Sequence, residues 1–146
     1  MIQTPEKNIV LYADDDPDDL MLVKDAFSKY SQNIEVVTAS DGAEALSYLK
    51  NLSYSDSAPC LIILDINMPR LNGKEALINI RNMKRFEDIP VVLFTTSSQP
   101  ADKTFANAYN AGFLKKPIDI SQMEIITDQF IQHCADEVRK KVGRLS

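Results

Sequence analysis

With one histidine, two cysteines and no long apolar run, this 146-residue chain has few possible chemistries. The apolar stretch around Leu61 to Leu64 is far too short to span a bilayer, and the opening MIQTPEKN lacks the apolar core of a signal segment, so no membrane attachment through the chain is expected. Cys60 lies in an apolar run and Cys134 at a helical core spacing. With no metal-ligand or redox spacing between them, both read as small buried hydrophobes in a reducing, cytoplasmic setting. Positive charge is also short: 16 Lys and Arg against 21 Asp and Glu leave a net charge of -5, which argues against nucleic acid as the main partner. The only basic cluster, Arg139, Lys140, Lys141 and Arg144, reads as a solvated helix end.

What remains is the composition of an ordinary globular protein, 45% hydrophobic and 25% charged, at a length suited to one domain over residues 1–146 with nothing left for an output domain. Five strand-like runs alternate with five helix-like patterns, the signature of a parallel sheet wrapped by helices. Strands are expected at Ile9–Ala13, Ile34–Thr38, Cys60–Leu64, Val91–Phe94 and Phe113–Leu114. The helices are marked by Leu20, Val23, Phe27 and Tyr30, then by Ala45, Leu46 and Leu49, then by Leu77, Ile80 and Met83. A fourth helix is expected from Pro100 to Ala111, ended by Gly112, and a fifth carries Met123, Ile126, Phe130, Cys134 and Val138. The stretch from Ser53 to Pro59 has turn-forming composition and no period, so it reads as a loop.

In open parallel sheets functional groups gather at the carboxyl ends of the strands. Here those ends carry Asp14-Asp15-Asp16, Asp65, Thr95-Thr96 and Lys115-Lys116-Pro117. Several carboxylates at one edge repel one another unless a cation sits among them, and a hard divalent ion such as Mg²⁺ or Mn²⁺ suits an all-oxygen set. Asp14, Asp15 and Asp65 are the candidate ligands, with the backbone carbonyl of Asn67 as a further one. A carboxylate can also be a nucleophile toward phosphorus, and Asp65 is the best placed. Charge spread over the phosphoryl oxygens then calls for a cation and a hydroxyl, supplied by Lys116 and Thr95.

Other readings of the same residues are plainer. Asp16 before Pro17 is a helix cap, and Asp18 and Asp19 complement the helix dipole as structural acids. Gly73 supplies a backbone shape that only glycine reaches easily. Thr95 alone is an ordinary strand residue, and Lys115 competes with Lys116 for the phosphate-contacting role, adjacency to Pro117 favouring Lys116. His133 lies away from the acidic edge, in keeping with a chain that accepts phosphate from a histidine elsewhere.

Four motifs in order, IVLYADDDPDD, LIILDINMPRLNG, VVLFTTSS and FLKKP, resemble the receiver domains of bacterial two-component response regulators over nearly the whole chain. The resemblance implies a flavodoxin-like (βα)5 fold with strand order 2-1-3-4-5. It implies phosphorylation of Asp65 by a sensor histidine kinase or histidine phosphotransfer protein, Asp14 and Asp15 as the acidic metal pair, Thr95 as the switch hydroxyl and Lys116 as the phosphate contact. It further implies a cis Lys116-Pro117 peptide, an inward turn of Phe113 on phosphorylation that reshapes the face of helix four, strand five and helix five, and a homodimer as one possible assembly. The long loop before strand three is most similar to stand-alone receivers that partner phytochrome-type kinases. Two features depart from the family pattern: a tight link between helix four and strand five, and Thr96 where a smaller residue is common, which is expected to slow access to Asp65. Two rival functions remain open, an aspartyl-phosphate phosphohydrolase, which would want a second acid where Asn67 stands, and a docking module that is never phosphorylated.

Overall fold

The computed structural model describes residues 8–30 and 33–134. Within them β1 (Asn8–Ala13), β2 (Ile34–Ala39), β3 (Leu61–Leu64), β4 (Val91–Thr95) and β5 (Gly112–Lys115) alternate with α1 (Pro17–Phe27), α2 (Gly42–Lys50), α3 (Gly73–Arg81), α4 (Pro100–Ala108) and α5 (Met123–Gln132). All pairings are parallel and the order is β2-β1-β3-β4-β5, as expected. No helix among the described residues is long and apolar enough to cross a membrane.

Alternation along the strands divides the core in two. Leu11, Ala13, Ile62, Leu64 and Leu93 pack under α2 and α3, while Val10, Tyr12, Leu61, Ile63, Val92 and Phe94 pack under α1 and α5. On the second face Phe130 meets Phe94 edge-on at 5.1 Å and stacks on Phe27 at 6.0 Å, which anchors α5 and α1 to the sheet. β3 is buried at every residue, and β2, at the sheet edge, is only partly buried, matching its more polar sequence.

The caps follow the sequence. Asp16 accepts from the Asp18 N–H at 2.9 Å to start α1, Asp41 accepts from Glu44 at 2.8 Å to start α2, and Asn72 with Glu75 forms a capping box on α3. The expected loop after α2 is fastened by Arg85, whose guanidinium donates to the Leu52 carbonyl at 3.2 Å and the Asp56 carbonyl at 2.7 Å.

Several local expectations are corrected. α4 stops at Ala108, and the left-handed residue that closes the turn is Asn110 (φ 55°), a residue type that tolerates this conformation; Gly112 instead begins β5. Lys116-Pro117 is trans, since no described peptide bond is cis and trans is the intrinsically favoured isomer even before proline. Cys60 precedes β3 and is only half-buried, and its thiol forms a hydrogen bond with the Cys134 thiol, which lowers the Cys60 pKa. Val138 and the basic cluster at Arg139 to Arg144 lie outside the described residues.

Gly73 is needed for closeness, not for an unusual dihedral, because no described glycine has positive φ. A Cβ there would penetrate the Asp65 carbonyl oxygen and crowd the Ile66 backbone, so α3 rests directly on the β3 end. Gly73→Ala should therefore destabilise the fold by roughly 2 kcal/mol or more, as overpacking against immobile backbone does. Urea unfolding measures this, and a variant as stable as the parent would refute the contact.

Candidate functional site

The parallel ladder continues one residue beyond three strands, and this extension builds the site. Asp14 N–H donates to the Ala39 carbonyl at 3.0 Å, Asp65 N–H to Ala13 at 3.0 Å and Lys116 N–H to Thr95 at 2.7 Å. The two-residue period of a strand then matters: Tyr12 and Asp14, Ile63 and Asp65, Leu114 and Lys116 share one face, whose core partners belong to α1 and α5. Three charged side chains from three strands thus enter the same corner beneath the first turn of α1.

There the Lys116 ammonium lies 2.7 Å from Asp14 Oδ2, 2.7 Å from Asp19 Oδ2 and 3.2 Å from Asp65 Oδ2. Asp14 is fully buried and Asp65 is 6% exposed, so this is a shielded cluster and its charge pairs are screened little by solvent. Asp14 Oδ1 accepts the Asp16 N–H at 3.0 Å, and Oδ2 accepts both Lys116 and the hydroxyl of Tyr12. Asp65 Oδ1 takes a long hydrogen bond, 3.4 Å, from the Asn67 N–H.

Burial, and secondarily the adjacent Asp14, push the Asp65 carboxyl up to about 6, against the opposing pull of Lys116. Burial works against the Lys116 charge, but hydrogen bonds to Asp14 and Asp19 and the nearby Asp65 outweigh it and hold the ammonium above its ordinary value. The Tyr12 phenol is raised by burial and by Asp14.

One carboxylate oxygen from each of Asp14, Asp15 and Asp65 lies within 4.8 Å of the others. Asp15 is exposed, so this donor set opens to solvent on one side. Three hard oxygens around one open position fit a divalent ion of the Mg²⁺ or Mn²⁺ type, which keeps several waters. Asn67 is exposed beside them.

Thr95 is fully buried at the end of β4, and its Oγ1 accepts the Ser97 N–H at 3.2 Å, an acceptor role that leaves its own proton available to donate. Ser97 in turn donates its hydroxyl to Asp102, which Lys74 pairs at 2.5 Å while lying over the Phe105 ring. Thr96 is exposed. Lys115 points away from the acids, to Ser98 Oγ at 2.7 Å, so Lys116 is the lysine in the cluster. Phe113 is half-buried in β5, packed toward the α2–α4 face, and Gly112 lies against the His133 ring.

Two residues of the cluster escape the sequence reading. By sequence Asp19 reads as an acid that complements the helix dipole, yet it binds Lys116; Tyr12 reads as part of an apolar strand run, yet its hydroxyl reaches Asp14. The available signal was spacing: Tyr12 is two residues before Asp14 on one strand, and Asp19 falls in the helical turn directly after it.

Residues 10–128 match the family model of the response regulator receiver domain. The chain belongs to that family. Response regulator Rre1 of Synechocystis sp. is 33% identical over 120 residues, covering 80% of this chain but only 48% of Rre1, so the chain spans about half of that relative. Among solved structures, the phosphorylated cyanobacterial phytochrome response regulator RcpA superimposes with a TM-score of 0.78 at 27% identity, over 88% of this chain and 97% of RcpA. The Mn²⁺-bound form of response regulator Rcp1 superimposes at 0.74 with 25% identity, over 83% and 92%. The receiver fold and strand order expected from sequence are therefore those of solved family members.

The receiver site carries a measurable electrostatic load. For a carboxyl whose folded pKa is raised, the folded state binds the proton more tightly, so stability falls as pH rises from the unfolded value near 3.8 through about 6 and stays reduced above. In metal-free buffer Asp65→Asn should stabilise the protein at pH 7.5 by about 2 kcal/mol, a gain that shrinks below pH 5. Thermal melts at the two pH values measure it, and a destabilised variant at pH 7.5 would contradict the assignment.

Proposed function

We propose that this chain is a phosphorylation-activated signalling switch in which Asp65 accepts a phosphoryl group from a phosphohistidine on a sensor histidine kinase or a histidine phosphotransfer protein. The observation that carries it is the Lys116 ammonium bridging Asp14 and Asp65 in a buried corner, a cation placed within reach of any group bonded to Asp65. Asp65 Oδ would attack phosphorus as the bond from phosphorus to the histidine nitrogen breaks, the imidazole leaving with the electron pair. Lys116 then turns from the carboxylates to the phosphoryl oxygens, and Thr95 offers its hydroxyl proton to another. Asp14, Asp15, Asp65 and the Asn67 carbonyl would hold Mg²⁺ or Mn²⁺, which supplies neutralisation of the developing phosphoryl charge. The phosphorylated RcpA and Mn²⁺-bound Rcp1 neighbours support this reading by likeness.

The output face is α4, β5 and α5. A donation from Thr95 to a phosphoryl group alters the same hydroxyl that Ser97 touches, and Ser97 is tied to α4 through Asp102. Phe113 lies on that face and is the residue proposed to turn inward. We assign the chain as one receiver domain, acting in the cytoplasm through a downstream protein and not through nucleic acid, with self-association through the output face as one route of signalling. The phosphohydrolase alternative is disfavoured because Asn67 supplies no general acid two residues after Asp65.

Incubation with a small phosphodonor and Mg²⁺ should add one phosphoryl mass to the parent and none to Asp65→Asn, by intact-protein mass spectrometry. Absence of the adduct in the parent would reject the switch, and steady turnover of the donor by an Asp15→Asn variant would favour the hydrolase. Thr96→Ala should shorten the lifetime of the adduct severalfold, since the exposed methyl and hydroxyl beside Thr95 crowd the approach of water; an unchanged decay rate would show that Thr96 has no gating role.

A further inference from the structure

Asp14 has a problem that the proposed chemistry makes acute. Its carboxylate is fully buried, and its Oδ2 accepts from two donors, Lys116 at 2.7 Å and the hydroxyl of Tyr12. Oδ1 accepts the Asp16 N–H at 3.0 Å and keeps one lone pair for a cation. Lys116 is the mobile partner, because it also contacts Asp65 and Asp19 and its stem is flexible. When the ammonium shifts toward a phosphoryl group on Asp65, the buried Oδ2 loses a charge-assisted hydrogen bond and cannot recruit solvent.

Tyr12 is the donor that stays. It is fully buried in a central strand, with its ring 6.2 Å from that of Phe94, and it stands two residues before Asp14 on the same face. Its β1 neighbours Val10, Leu11 and Ala13 have no polar side-chain atoms to offer. We infer that Tyr12 is a positioning residue for phosphoryl acceptance: its hydroxyl keeps the Asp14 carboxylate hydrogen-bonded and oriented while Lys116 moves to the phosphoryl group, leaving Oδ1 for the divalent ion. The inference rests on the phosphoacceptor reading of Asp65.

Tyr12→Phe removes the hydroxyl and keeps the ring. Without its share of the Asp14 charge, Mg²⁺ alone should bind roughly threefold more tightly by calorimetry, because the carboxylate is less compensated. Trifluoroberyllate with Mg²⁺, a phosphoryl mimic on a carboxylate, should bind roughly tenfold more weakly, the size of one charge-assisted hydrogen bond, because Lys116 is then held to Asp14. Changes of opposite sign support the role. Changes of the same sign, or none, overturn it, since a purely structural tyrosine would weaken both or neither.

Should the variant fold poorly, the unaltered protein offers a second readout. The Tyr12 hydroxyl proton should be visible by NMR and move downfield on adding Mg²⁺ with trifluoroberyllate, as it becomes the sole donor to Oδ2; an unmoved or undetected proton overturns the inference. A parent that takes up no trifluoroberyllate overturns the phosphoacceptor reading and this role with it. A parent that takes it up while Tyr12→Phe matches it in both affinities overturns the role of Tyr12 alone.

Discussion

A single ammonium holds the functional corner together. Lys116 contacts the carboxylates of Asp14, Asp19 and Asp65, and Asp15 brings a further carboxylate oxygen within 4.8 Å of those of Asp14 and Asp65. Unit charges about 4 Å apart at an effective dielectric of about 20 interact by roughly 4 kcal/mol, so removing the cation would leave acids that cannot all stay ionised. Asp65 shows the strain of the site: burial first, and the adjacent Asp14 second, push its carboxyl up to about 6 although Lys116 is close enough to oppose the shift. Without a divalent ion the corner is under-neutralised, a property suited to binding a cation and an anionic group together.

The sheet serves that corner. Extension of the ladder past β1, β3 and β5 fixes the backbone of Asp14, Asp65 and Lys116 through hydrogen bonds of 3.0, 3.0 and 2.7 Å, so the side chains converge without depending on flexible loops. α3 presses on the Asp65 carbonyl through Gly73, and α1 begins with the Asp16 cap and delivers Asp19 one turn later. Apolar burial on both sheet faces then supplies the stability that a crowded acidic site takes away.

Sequence periodicity carried the fold because β3 is an unbroken apolar run, β4 is apolar up to Thr95, and α1, α2, α3 and α5 each bury an apolar stripe. The acids of the site were legible because they stand at strand ends, where a parallel sheet gathers its functional groups. Tyr12 and Asp19 were not, because each already had a sufficient local explanation, an aromatic in a strand and an acid in a first helical turn; Tyr12 meets an acid two residues along its own strand, while the partner of Asp19 depends on the tertiary approach of α1 to the end of β5. The approach of Cys134 to Cys60 has a tertiary origin too, and the Gly73 contact, though close in sequence, depends on how the β3–α3 loop folds back; neither leaves a mark in local pattern. The left-handed Asn110 was missed for a different reason, since Gly112 two residues later competes for the same cap in any reading of composition.

The way a change at Asp65 would reach the surface follows from where the structure is weakly held. Thr95 is buried, but the residues after it, Thr96 to Pro100, are largely exposed, and their fastening is polar: Ser97 to Thr95, Ser97 to Asp102, Asp102 to Lys74. Such a segment lies at the low end of local stability, unlike β4 itself, and can rearrange without disturbing the core. A phosphoryl group accepting the Thr95 proton would act at the first link of that polar chain, and α4 begins at its end. On the proposed reading, the rigid part of the molecule would hold the chemistry, and the segment held by polar contacts would be the one positioned to report it.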